Sequence, residues 1–120
     1  MVKKATRIYS GPDGESHFED LEIALDIIKG PHRRQSTPVK ATEITFVEQD
    51  TGYRRDWHNA PCRQFVITLE GICEIEICGD IKRKFGPGDI LLAEDTSGRG
   101  HITRVVSKQP RKVIFIPLCA

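Results

Sequence analysis

Ile75 and Ile77 alternate with Glu74 and Glu76, a period of two that belongs to a β-strand with one buried and one wet face. Comparable short runs recur along the second two thirds of the chain: "KATEITFVEQ" (40–49), "RQFVITLE" (63–70), "IKRKF" (81–85), "ILLAE" (90–94), "HITRVV" (101–106) and "KVIFIP" (112–117). They are rich in β-branched and aromatic residues and are separated by Gly and Pro turns. Gly79-Asp80 suits a hairpin between two of them, and "FGPGD" (85–89) is another turn. "FEDLEIALDII" (18–28) fits a strand better than a helix, because its β-branched residues are followed by Gly30-Pro31. "GPHRRQSTP" (30–38) has no apolar face and reads as a loop. Many short strands and no long amphipathic helix predict an all-β sandwich or barrel.

Composition narrows the class. At 120 residues the chain suits one domain, 1–120, with N-terminal strands and a loop (1–38) ahead of a barrel (39–117). Eighteen basic and seventeen acidic residues leave a net charge of +1, which gives no field for nucleic acid or an anionic membrane. No apolar run approaches the roughly 20 residues of a membrane span, and the N-terminus has no apolar leader. A soluble, cytoplasmic protein is expected. Cys62, Cys73, Cys78 and Cys119 form no C-x-x-C pair and are expected to be reduced thiols.

Two segments carry a resemblance. "GYRRDWHNAPCRQFVITLEG" (52–71) resembles the first signature of the cupin superfamily, in which a glycine, a His-x-His pair, a glutamate and a closing glycine follow at set spacings. Gly52 is followed by five residues and His58; Ala60 stands at the second histidine, Gln64 at the glutamate, and Gly71 closes the pattern. "FGPGDILLAEDTSGRGH" (85–101) resembles the second signature, with Gly86-Pro87-Gly88-Asp89 at the turn and His101 at the histidine. Glu94 replaces the usual proline, and the interval from Gly88 to His101 is about two residues longer than the family pattern. The resemblance implies a jelly-roll β-barrel with a small-molecule site in its lumen, a homodimer, and a divalent metal (Fe, Ni, Zn or Mn) held by His58, Gln64 and His101. It also implies isomerase, lyase or dioxygenase-like chemistry on a small carbonyl, hydroxy-acid or sugar-like substrate.

Strand phase supports such a lumen. If Gln64 points inward so do Val66 and Thr68, with Phe65, Ile67 and Leu69 outside; His101, Thr103 and Val105 form a second inward set. Three carboxylates and a phenol lie near the histidines. Asp56 is two residues from His58 on the same strand face, Glu94 and Asp95 are positioned to approach His101, and Tyr53 is a possible acid partner. His58 and His101 are therefore catalytic candidates, and Gln64, Asp56, Tyr53 and Glu94 candidates for substrate contact. Two further readings stay open. One is a metal-free epimerase or dehydratase using histidine as acid and base; the other is a binding barrel without turnover. His17 over the mouth, the arginines of "HRRQ" and "YRR", Cys62 as a nucleophile, and "SGRG" (97–100) as a flexible lid are weaker candidates.

Overall fold

The computed structural model describes residues 1–118; Cys119 lies outside them. Among the described residues there are twelve strands and no helix. They are β1 (Val2–Ser10), β2 (Ser16–Ala24), β3 (Ile27–Ile28), β4 (Arg34–Gln35), β5 (Thr45–Gln49), β6 (Arg54–His58), β7 (Gln64–Glu70), β8 (Cys73–Ile77), β9 (Ile81–Phe85), β10 (Ile90–Glu94), β11 (His101–Val105) and β12 (Arg111–Pro117). β2-β1-β10-β7-β12-β5 form one sheet, β6-β11-β8-β9 a second, and β3-β4 a small third. Most neighbours in the two main sheets are distant in sequence, the crossed connectivity of a jelly roll.

The core lies between the two large sheets. Ile8, Val66, Leu91 and Val113 from the larger sheet and Cys73, Ile75, Ile77 and Phe85 from the smaller belong to one buried cluster. This explains the alternation. Ile75 and Ile77 face the core, while Glu74 and Glu76 turn outward and both pair with Arg104 on the neighbouring β11. The phase expected for β7 holds: Gln64, Val66 and Thr68 are buried and Phe65, Ile67 and Leu69 are on the other side. On β11 the inward set is also as expected, but Ile102 on the opposite face is buried too.

Three segments differ from the pattern-based expectation. β1 was not apparent, because with Lys3, Lys4 and Arg7 it offers no continuous apolar face and buries only Ile8 fully. The run 18–28 is interrupted at Leu25-Asp26, and Ile27–Ile28 pairs with Arg34–Gln35, within the stretch read as a loop. Only Thr45–Gln49 of "KATEITFVEQ" is a strand. Residues ahead of it, including Val39 and Ala41, line a groove with Phe65, Ile67 and Ile116 on the outer face of the large sheet. The chain's own N-terminal third thus covers part of the apolar outer face, whereas Phe46 and Leu69 stay exposed. Cys62, Cys73 and Cys78 are free thiols. No helix among the described residues is long and apolar enough to cross a membrane.

Gly71, which closes the first signature, has a packing reason. Its φ is +76°, and a Cβ there would lie 2.7 Å from both Arg111 Cα and Pro110 O. The β7–β8 turn can approach the start of β12 only without a side chain. Gly71→Ala is expected to destabilise the protein by about 2 kcal/mol or more, combining left-handed strain with a backbone clash. Chemical denaturation would measure this.

Candidate functional site

β6 and β11 are antiparallel neighbours, and their register places His58 directly opposite His101. The rings lie 4.4 Å apart between centroids and are tilted by 57°. Gly100 makes this approach possible. Its φ is +80°, and a Cβ at that position would fall 1.9 Å from the carbonyl oxygen of His58. The "SGRG" loop is pinned rather than free. Asn59 Nδ2 donates to the carbonyls of Ser97 and Gly98, the Arg99 amide donates to Gly14, and the Arg99 side chain pairs with Glu15.

Both rings are held through Nδ1. His58 Nδ1 donates to the Asp56 carbonyl at 2.7 Å, and His101 Nδ1 donates to Asp95 Oδ2 at 2.6 Å. Partners of this kind fix the tautomer and leave Nε2 of each ring as the basic nitrogen. Asp95 has no solvent exposure. It follows β10, accepts a second hydrogen bond from Ser16 Oγ at 2.7 Å, and receives the Ala60 amide on its backbone carbonyl. Its Oδ1 has no protein partner among the described residues.

The carboxylates are therefore used differently from expectation. Asp56 orients His58 by its backbone carbonyl; its exposed carboxylate bonds the Trp57 amide and pairs with Arg54. Glu94 turns away from His101 and is bound by Arg7 and Arg63. Burial opposes ionisation of Glu94, but the hydrogen bonds from the two arginines prevail and hold its carboxyl below the usual value. Asp95, not Glu94, is the partner of His101. The cause is strand phase: adjacent residues at the end of β10 face opposite ways.

Around the rings is a cavity of about 80 Å³, lined by Tyr53, His58, Gln64 and His101 together with Ala60 and the apolar side chains of Val66, Ile75, Leu91, Ala93 and Phe115. Arg55 and Arg111 also line it, with Gln49 and Thr103. No Asp or Glu does so among the described residues. Of the weaker candidates, Arg55 alone reaches this wall. Cys62 is half-buried outside it, and His17 pairs with Asp13 and packs near Tyr9. Among the described residues no three His, Cys, Asp or Glu side chains converge as a metal-ligand group. Ser16, Gln49 and Arg111 were missed in the sequence. Ser16 and Gln49 carry no spacing signal, but alternation back from Val113 and Phe115 puts Arg111 on the inward face.

A flattened jelly roll with paired histidines at one end of its lumen defines a class, small β-barrels with an internal site. The comparisons name its fold. The chain matches the cupin domain of Cnp3 from Schizosaccharomyces pombe over 98% of its length and 84% of that chain, at 8% identity and a TM-score of 0.51. It matches protein NMB1881 from Neisseria meningitidis over 79% of its length and 92% of that chain, at 16% identity and a TM-score of 0.52. The fold is that of a cupin. No protein-family profile matches the sequence, and no curated protein is similar to it.

Burial lowers the pKa of His58 below its ordinary value of 6.5; the Asp56 carbonyl opposes this, and His101 and Arg55 reinforce it. The native state thus favours the neutral ring. As pH falls below about 6.5, the unfolded chain takes up this proton first, so His58 makes stability decline toward acid. NMR titration should place the His58 midpoint below 6.5, and His58→Gln should flatten the acid side of the stability profile.

Proposed function

We propose that the chain is a small-molecule enzyme that moves a proton without a resident metal, with His101 as the base. The observation that supports this is the fully buried Asp95 against His101 Nδ1. A carboxylate behind an imidazole fixes the ring, keeps Nε2 as its basic atom, and stabilises the imidazolium formed when Nε2 accepts a proton. A substrate bearing a carbonyl would lie in the cavity with an adjacent C–H toward Nε2. The proton passes to His101 and the C–H electron pair becomes an enolate on the carbonyl. Tyr53, also on the wall, would donate to that oxygen or return a proton. Return to the same carbon on the other face is epimerisation; return to a neighbouring carbon is isomerisation.

The metal reading uses the same residues. His58, Gln64 and His101 would supply two imidazole nitrogens and an amide oxygen, and each ring has the Nδ1 partner that metal-bound histidines commonly have. A divalent ion would act there as a Lewis acid on a substrate oxygen. The surroundings do not fit it. The cavity wall has two arginines and no carboxylate that could ligate, and the one carboxylate close by, Asp95, is taken up behind His101, so a divalent cation gains no anionic ligand. Elemental mass spectrometry of untagged protein, before and after incubation with Fe, Ni, Zn or Mn, is expected to show well under one metal per chain. Near-stoichiometric metal lost in both His58→Ala and His101→Ala would reverse the assignment.

The reaction itself is tested by incubating the protein in D₂O with a panel of small oxo and hydroxy compounds and following C–H signals by NMR. At least one compound should show protein-dependent exchange. His101→Gln should abolish it, and Asp95→Asn should slow it by about 10²–10⁴-fold while leaving the fold intact. Ligand binding without exchange in any compound would establish a binding barrel instead.

A further inference from the structure

Arg111 opens β12 from inside the barrel and is 2% exposed. Three of a guanidinium's five N–H donors are used by Arg111: Nε and Nη2 donate to Thr68 Oγ1 at 3.3 and 2.9 Å, and Nη1 donates to Gln49 Oε1 at 3.1 Å. Both acceptors are neutral. Among the described residues no carboxylate pairs with Arg111, whereas the largely buried Arg7 and Arg104 each have one or more. The neighbouring Cys73 does not supply a charge, since burial raises its thiol pKa and keeps it protonated. A buried cation without a counterion is costly, and proteins normally pair it. Here the residue lines the lumen cavity.

We propose that Arg111 is the anchor for the carboxylate of a small organic acid, which supplies the missing counter-charge in the bound state. The inference rests on the proton-transfer reading and names its substrate class. A carboxylate matches one buried positive charge and the forked geometry of the remaining N–H groups. The apolar walls at Val66 and Leu91 suit a short carbon skeleton. About 80 Å³ is several times the roughly 10–15 Å³ that a single water needs, and gives room for a small acid. The anchor and the base line one cavity, Arg111 from β12 and His101 from β11. Gln64, which lines the cavity with the histidines, and Thr68, which holds Arg111, both point inward from β7. The acid would be held by Arg111 with its reacting carbon toward His101.

The test is calorimetric and needs no turnover. Pyruvate and lactate are titrated into the protein beside pyruvamide and lactamide, with inorganic phosphate as a separate arm. At least one carboxylate should bind, its amide should bind at least about tenfold more weakly, and Arg111→Lys should weaken the carboxylate by about ten- to hundredfold. Arg111→Met should abolish the preference; because that variant risks misfolding, the acid–amide comparison on the unmodified protein is decisive alone. Equal binding of acid and amide, binding of phosphate in preference to every carboxylate, or no carboxylate binding would overturn the proposal. A carboxylate that binds through Arg111 but never exchanges its C–H protons supports the anchor and removes the proton-transfer reading. Exchange on neutral compounds with no preference for acids does the reverse.

Discussion

A carboxylate without solvent contact must find its donors inside the protein, and at Asp95 this constraint assembles the site. Ser16 from the N-terminal hairpin and His101 from β11 both converge on Oδ2, while its backbone carbonyl takes the Ala60 amide. The N-terminal strands are therefore more than an extension of the sheet. β1 pairs in parallel with β10, which brings the start of β2 behind Asp95 and puts a hydroxyl where water would otherwise be needed. His101 is then fixed from behind, and His58 is fixed against it by strand register and by a carbonyl two residues away.

Much of this was legible in the alternation of β7 and β11. On each, polar and apolar positions alternate along the strand, so a period of two is enough to assign Gln64 and His101 to the lumen. β10 is different. Leu91, Leu92 and Ala93 are all buried, so "ILLA" is apolar on both faces and its phase could not be read. Without that phase Glu94 and Asp95 are equivalent candidates, and only one faces His101. Arg111 was obscured by a general expectation, that arginines are solvated. The alternation of β12 placed it inward, but a register shift beside Val113 weakens that reading, and the residue type argues against it.

The positions where the two signatures are incomplete gain a physical sense from the cavity charge. A barrel with two histidines, a glutamate and a further histidine has a carboxylate to offset a bound cation. Here Ala60 and Gln64 stand at the second histidine and the glutamate, and the wall contains Arg55 and Arg111. Substituting an amide for a carboxylate removes one negative charge, and the buried Arg111 adds a positive one. The one carboxylate left beside the histidines, Asp95, lies behind His101 rather than at a ligand position.

That change of residues is consistent with proton transfer by a neutral ring. Burial lowers the His58 pKa, and the nearby Arg55 lowers it further, so the free site presents imidazole as a base rather than imidazolium. At His101 the buried carboxylate lies directly against Nδ1, giving that ring the means to hold the proton it receives. Two histidines in contact at 4.4 Å thus occupy different electrostatic settings. An acid bound at Arg111 would add a negative charge to a wall lined by no carboxylate, opposing the effects that lower the His58 pKa while the ligand is present. The positive wall would then couple ligand binding to proton uptake, with the charge needed for the second supplied by the first.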